Sequence, residues 1–310
     1  MRIGLVFGGT TTEGDVSRLS AEGVRGALRK LKHEVVDIEF DKDIAMHIQD
    51  ACVDVVFNAM HGQYGEDGSL QGLLDIMRIP YTHSGVLSSA LGMNKVFCKQ
   101  IFKDLGIKTI RGFAVSKQDL YNDTWKDRLK NSEIADCKEV FIKPVSDGSS
   151  RDTFLIKDIE STSFKTTELL TASKQFLVEE RIIGREIQVA VVNNKSIGMI
   201  EVVPNAKQSE FYDYTAKYTQ NGAMHKQVET GEEIKQQLLK YAEMIHNSLN
   251  LNCISRSEFI LAENNDIYVL EVNTNPGLTI FSIVPEIALN AGISYEELIE
   301  ILLKSATYNS

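Results

Sequence analysis

Residues 253–277 read CISRSEFILAENNDIYVLEVNTNPG. Two apolar-rich runs, Cys253–Leu261 and Ile267–Asn273, flank Glu263-Asn-Asn-Asp266, and asparagine tolerates positive φ. The pattern predicts a β-hairpin with a symmetric turn centred on Asn264 and Asn265. That turn sets Glu258 opposite Glu271 and Arg256 opposite Asn273, and directly paired residues share a face of the sheet. Two facing carboxylates repel unless a cation lies between them. Carboxylate and amide oxygens form a hard donor set suited to Mg²⁺ and not to zinc. The chain continues into Thr274-Asn-Pro-Gly277, a turn that can expose backbone N–H groups. Metal, arginine and free amides on one platform suit phosphoryl transfer. The plain alternative is a surface hairpin that carries two glutamates for solubility.

Composition narrows the class. A chain of 310 residues buries a large core and divides into two or three compact units. The net charge of −10 argues against a nucleic-acid partner. Four scattered cysteines without a C-x-x-C pair fit a reduced cytosolic protein better than a disulfide framework or a zinc site. The N-terminal apolar run is too short for a signal peptide, and nothing approaches the ~18 apolar residues of a membrane span. The expected setting is cytoplasmic.

Working outward, the first third alternates strands at Ile3–Phe7, His33–Phe40 and Val53–Ala59 with helices from Asp15 or Ser17 to about Lys32 and over Ser69–Met77. This βαβ rhythm implies an open parallel sheet with a crevice at the strand C-termini. Gly8-Gly9 does not match the dinucleotide fingerprint G-x-G-x-x-G. A helix is expected from about Leu87 to Leu105. Strands follow at Lys108–Val115, Glu139–Val145, Thr153–Ile156 and Gln175–Glu180, with a helix at Phe164–Ser173, a mixed pattern typical of a smaller α+β unit. The last part holds strands Arg185–Val192 and Ser196–Val203, a helix near Glu232–Leu249, the hairpin, and a helix near Ser294–Ser305.

Three further stretches carry chemistry. Ser146-Asp-Gly148-Ser149-Ser150 follows Lys143-Pro144, and a Gly- and Ser-rich turn can present N–H and hydroxyl groups to phosphate. A polar hairpin turn beside a snorkelling lysine is the alternative. Phe211–Tyr218 places four aromatics in eight residues within a weakly periodic stretch from about 204 to 230, which reads as a lid that excludes water. An aromatic loop packed on its own domain is the alternative. His61–Gly68 has three glycines in eight residues at the mouth of the crevice, and Glu13 belongs to the same sheet edge. Read alone, His61 is a loop histidine bonded to backbone and Glu13 a helix-start carboxylate.

In this order the segments resemble the D-alanine–D-alanine ligases of the ATP-grasp carboxylate–amine ligase family. The resemblance runs through Gly8-Gly9, Glu13, Val16-Ser17, His61-Gly62, Gly65-Glu-Asp-Gly68, Met93-Asn-Lys95, Lys143-Pro144, Gly148-Ser-Ser150, Gly184-Arg-Glu186, Phe211–Tyr218, Arg256 and Glu271–Gly277, nearly the whole chain. It implies an α/β, three-domain ATP-grasp fold. The N-terminal open parallel sheet (1–95) would bind substrate, a central α+β domain would follow (96–182), and a C-terminal α+β domain (183–310) would carry the hairpin and the lid. It also implies an ATP-dependent ligase that makes D-alanyl-D-alanine through an acyl phosphate for peptidoglycan synthesis.

Site roles follow from the resemblance, position by position. Glu258, Glu271 and Asn273 would hold two Mg²⁺ or Mn²⁺ ions. Lys95, Lys143 and Lys217 would contact ATP phosphates, with Glu179, Glu180, Ile182 and Glu186 around adenine and ribose. Glu13 would pair with the ammonium of the first D-alanine and His61 lie near its carboxylate. Ser149 and Tyr218 would link Glu13 to the lid. Arg256 and the Gly277 amide would form the oxyanion hole, and Ser282 and the Ile283 amide would bind the second carboxylate. A homodimer through the N-terminal domain is implied.

Four positions depart from the family pattern: Glu258 in place of aspartate, Asp152 in place of glycine, Phe281 in place of a more polar residue, and 223–229 without Pro-Ala. They keep open a related ligase for other amino or hydroxy acids. A catalytically silent ATP-binding relative is a further alternative.

Overall fold

A computed structural model of the protein describes residues 1–9, 13–169, 173–205, 211 and 222–308. Lys217, Tyr218 and most of the expected lid lie outside the described residues. Strands β1 (Arg2–Gly8), β2 (Glu34–Phe40) and β3 (Val55–Asn58) form a parallel sheet of order β2-β1-β3. Buried Ile3, Leu5 and Val6 make β1 the central strand. The helix Gly14–Lys30 follows it and turns Ser17, Ser20, Ala21, Val24, Ala27 and Leu28 inward at helical spacing. Ser17 Oγ accepts from Gly8 N at 2.7 Å and donates to Ala59 O at 2.8 Å. One hydroxyl thus ties the loop after β1 to the end of β3, and this frames Glu13.

The long helix expected over Leu87–Leu105 is two helices, Val86–Met93 and Lys95–Asp104. Asn94 breaks it by taking an extended backbone (φ −97°, ψ 100°), and its side chain accepts from Val96 N and Phe97 N as the cap of the second helix. The strand expected over Lys108–Val115 also divides. β4 (Lys108–Thr109) is bound for one sheet and β5 (Gly112–Ser116) for another, because the backbone between them bonds to side chains. Ile110 O accepts from Lys99 Nζ, and Arg111 N donates to Glu180 Oε1 at 3.1 Å.

β6 (Val140–Pro144), β7 (Phe154–Ile156) and β8 (Gln175–Glu180) join β5 in an antiparallel sheet of order β5-β8-β6-β7. It packs on Leu120, Trp125, Leu129 and Phe164. The helix expected over Phe164–Ser173 is absent from residues 164–169, which form a turn and irregular chain, and residues 170–172 are not described. The ring of Phe164 anchors this stretch against Trp125 and Phe154.

β9 (Gly184–Val192), β10 (Lys195–Pro204), β11 (Ala223–Lys226), β12 (Ile254–Ala262) and β13 (Ile267–Asn273) complete the third sheet, order β11-β10-β9-β12-β13-β4. One face carries Ile187, Val189, Val191 and Phe259 under the helices Glu232–Ser248 and Lys95–Asp104. The other face shares a single core with β1, the helix Gly14–Lys30 and the C-terminal helices Ile283–Asn290 and Tyr295–Lys304. The N-terminal sheet and the last sheet are therefore held by common apolar burial.

The hairpin turn differs from the symmetric one expected. Asn265 N donates to Ala262 O and Ala262 N to Asp266 O, both at 2.9 Å, with Asn265 left-handed at φ 66°. Three residues, 263–265, form the loop, and the pairs nearest it are Leu261↔Ile267, Ile260↔Tyr268 and Phe259↔Val269. A bulge at Leu270 inserts one residue into β13 and restores Glu258↔Glu271 and Arg256↔Asn273. The expected register at the platform arises from two offsets that cancel.

Candidate active site

The bulge decides what the platform presents. It brings Leu270 and Glu271, neighbours in sequence, to one cavity wall, where ordinary alternation would send one of them away. Glu258 is buried, with Arg256 Nη2 2.5 Å from its Oε1, and Lys95 Nζ stands 3.4 Å from Glu271 Oε2. The repulsion expected between the paired carboxylates is offset by these cations. Asn273 Oδ1 accepts from Asn275 N at 2.8 Å and keeps a second lone pair. Among the described residues no group of three or more His, Cys, Asp or Glu is arranged to hold a metal. Two carboxylates and one amide oxygen nevertheless suit a hard cation that takes its other ligands from water or phosphate.

The platform forms one wall of a cavity of about 470 Å³. Lys143, Pro144, Gly148, Ser150 and Arg151 line the opposite side, and Glu179, Glu180, Ile182 and Glu186 run along the crossing from β8 to β9. Every described residue expected around ATP therefore borders this space: Lys95, Lys143, Glu179, Glu180, Ile182 and Glu186. Lys95 Nζ donates to Asp147 O at 2.7 Å and ties the phosphate-type turn to the cavity floor. Lys143 Nζ lies 2.6 Å from Glu179 Oε2, and Lys99 Nζ contacts Glu179 Oε1. Burial alone would push the Lys143 ammonium down, but Glu179, Glu271 and Glu258 hold it above its ordinary value. Burial likewise works against the Glu179 carboxylate, which Lys143 and Lys99 keep below its ordinary value. The Glu180 carboxylate is taken up by Arg111, whose Nε lies 2.9 and 3.0 Å from its two oxygens. Phe211 sets its ring edge against Phe141 at 5.1 Å, and both border the cavity. Asp152 does not line it, and its φ of 47° is a backbone that glycine would take freely.

Glu13 joins this cavity to the N-terminal loops. Ser149 Oγ of the phosphate-type turn donates to Glu13 Oε1. A Cβ at Gly62 would fall 1.9 Å from Glu13 Oε2, and one at Gly148 2.9 Å from Oε1, so both glycines make room for the carboxylate. Burial, then the charge of Glu66, raise the Glu13 pKa above its ordinary value, against the opposing pull of Ser149 and His61. His61 is buried between Ser20 Oγ (2.9 Å from Nε2) and Glu66 Oε1 (3.3 Å from Nδ1).

The turn after the hairpin is fastened to the same region. Asn275 Nδ2 donates to Met60 O at 2.7 Å, and Leu278 N to Ser20 Oγ at 3.4 Å. Gly277 packs on Ser282, whose Oγ a Cβ there would meet at 3.0 Å. Ser282 is the N-cap of the helix Ile283–Asn290, so the Ile283 amide belongs to a helix N-terminus, where unpaired N–H groups favour an anion. Phe281 beside it is 84% exposed.

Lys99, Ser20 and Leu270 carry no role in the sequence reading, and Glu66 figures there only within the motif Gly65–Gly68. Lys99 follows Lys95 at i+4 on the same helix, a spacing that could have revealed it. Leu270 depends on a bulge for which the sequence carries no signal.

The sequence profiles described as D-ala D-ala ligase N-terminus and C-terminus match residues 44–84 and 101–304. A D-alanine–D-alanine ligase of Rickettsia akari is 42% identical over 310 residues, covering 99% of this chain and 93% of that one. The solved D-alanine–D-alanine ligase of Bacillus anthracis complexed with ATP aligns with a TM-score of 0.80 at 26% identity, covering 98% of this chain and 96% of that one. D-alanyl-alanine synthetase A of Vibrio cholerae aligns with a TM-score of 0.84 at 25% identity, covering 98% of each chain.

Proposed function

The chain belongs to the D-alanine–D-alanine ligase family, and from that membership we propose how its ATP-grasp fold joins two D-alanines at the expense of ATP. The reaction is ADP-forming and supplies the dipeptide for peptidoglycan precursors. A carboxylate oxygen of the first D-alanine attacks the γ-phosphorus and ADP departs. The amine of the second D-alanine then attacks the acyl phosphate carbonyl, and phosphate leaves from the tetrahedral intermediate.

The observation that carries this reading is the Ser149–Glu13 contact, which brings the phosphate-type turn against the buried carboxylate of the N-terminal crevice. An ammonium at Glu13 would place its own carboxylate beside the nucleotide. Lys95 and Lys143 bind the phosphates, a role also expected of Lys217 outside the described residues, and Glu179, Glu180, Ile182 and Glu186 surround adenine and ribose. Glu258, Glu271 and Asn273 would hold two Mg²⁺ or Mn²⁺ ions, whose charge would shield the triphosphate. Arg256 and the Gly277 amide face the oxyanion, while Ser282 and the Ile283 amide receive the second carboxylate. His61 stays with the first substrate's carboxylate, and the link from Glu13 and Ser149 expected of Tyr218 falls outside the described residues.

The division into 1–95, 96–182 and 183–310 belongs to this reading, as do a homodimer through the N-terminal part and a cytoplasmic setting. Among the described residues no helix is long and apolar enough to cross a membrane. Arg256→Ala is expected to lower turnover by roughly 10²–10³, as loss of one oxyanion donor does, with nucleotide affinity nearly intact. Steady-state rates and calorimetric ATP titration check this, and equal loss of both quantities contradicts the assignment.

A further inference from the structure

Glu179 is one buried carboxylate shared by two ammonium groups. Lys143 reaches its Oε2 at 2.6 Å from β6, and Lys99 contacts its Oε1 from the helix Lys95–Asp104. The two lysines differ in what else they face. Lys143 borders the nucleotide cavity and Lys99 does not. Lys99 is 8% exposed, and its ammonium also donates to Ile110 O, where the chain passes from one sheet to the next. One lysine is thus anchored at both ends of its contacts, and the other stands at the edge of the ligand space.

We propose that Lys99 is a positioning residue: it is the fixed counter-ion of Glu179 that leaves Lys143 free to turn its ammonium toward the nucleotide phosphates. The inference rests on the reading of Lys143 as a phosphate contact. A phosphate that draws Lys143 away from a lone partner would strand a buried carboxylate, and that cost would count against binding. With Lys99 in place, Glu179 keeps a counter-ion while Lys143 moves. Burial pushes the Lys99 ammonium below its ordinary value, and Glu179 opposes that fall, so the pair is mutually dependent.

The test compares binding of a non-hydrolysable ATP analogue with binding of adenosine, by calorimetry on the full chain with Mg²⁺. Lys99→Met should weaken the analogue roughly ten- to a hundredfold, the scale of a lost charged hydrogen bond, and leave adenosine binding unchanged. Lys99→Gln, which keeps a donor for Ile110 O, should behave as Lys99→Met does, and Lys99→Arg should restore binding. In a Lys143→Met background, Lys99→Met should cost nothing further. Losses that add across the double-mutant cycle overturn the proposal. So does equal weakening of analogue and adenosine in step with a lowered Tm, the mark of a merely structural ion pair. If Lys143→Met alone leaves analogue affinity unchanged, the phosphate role of Lys143 fails, and the proposal falls with it.

Discussion

Glu13 illustrates how much a single residue depends on its surroundings. Its carboxylate is buried beside Glu66, and both raise its pKa above the ordinary 4.5, so the fold holds this proton more tightly than the unfolded chain does. The sign is that of a raised group: its contribution to stability is present below the unfolded value and lost as pH rises through the folded one. An ammonium at Glu13 reverses the preference, because it pairs only with the ionised form. The KM for the first D-alanine should therefore rise as pH falls through the raised value and level off above it. In Glu13→Gln this pH dependence should vanish along with most of the affinity. A pH profile of KM for the two proteins checks this, and parallel profiles would remove Glu13 from the ammonium site. In the sequence Glu13 reads as a helix-start carboxylate. Its burial depends on Gly62 and Gly148, two glycines far apart in the chain that leave it room.

At the scale of elements, the legible parts were those set by short-range pattern. β1, the helix Gly14–Lys30, β8 and the hairpin strands follow from apolar spacing. The platform register was legible although the turn was not, because the three-residue loop and the bulge at Leu270 compensate each other. Two expected elements failed, one for a long-range reason and one for a local one. The strand at Lys108–Val115 breaks where Lys99 and Glu180 take the backbone at Ile110 and Arg111. The helix at Leu87–Leu105 breaks because Asn94 caps the second half. Asn94→Ala should cost about 1 kcal/mol of stability, the usual worth of an N-cap. It should also weaken ATP binding, because Lys95 is the first residue of the helix that Asn94 caps. Denaturant titration and nucleotide affinity measure the two effects. Lost stability with unchanged affinity would show that Lys95 does not depend on the cap.

For the whole molecule, the decisive feature is that distant segments meet. The parallel sheet and the six-stranded sheet share a core, the four-stranded sheet faces the latter across the cavity, and Ser149 reaches Glu13 from a distant stretch of chain. Composition and periodicity indicate strands and helices but not which sheet each joins, so this convergence was readable only through the family resemblance. The departures at Glu258, Asp152 and Phe281 leave the cavity intact: Glu258 is buried on the platform, Asp152 does not line the cavity, and Phe281 is largely exposed. On the proposed function this chain joins D-alanine to D-alanine. Its most direct test is phosphate release with ATP and Mg²⁺ in the presence of D-alanine, L-alanine, D-lactate or D-serine, with products identified by mass. D-alanine-dependent release with one D-alanyl-D-alanine formed per phosphate is expected. Absence of D-alanine-dependent release, or product only with another acceptor, would contradict it.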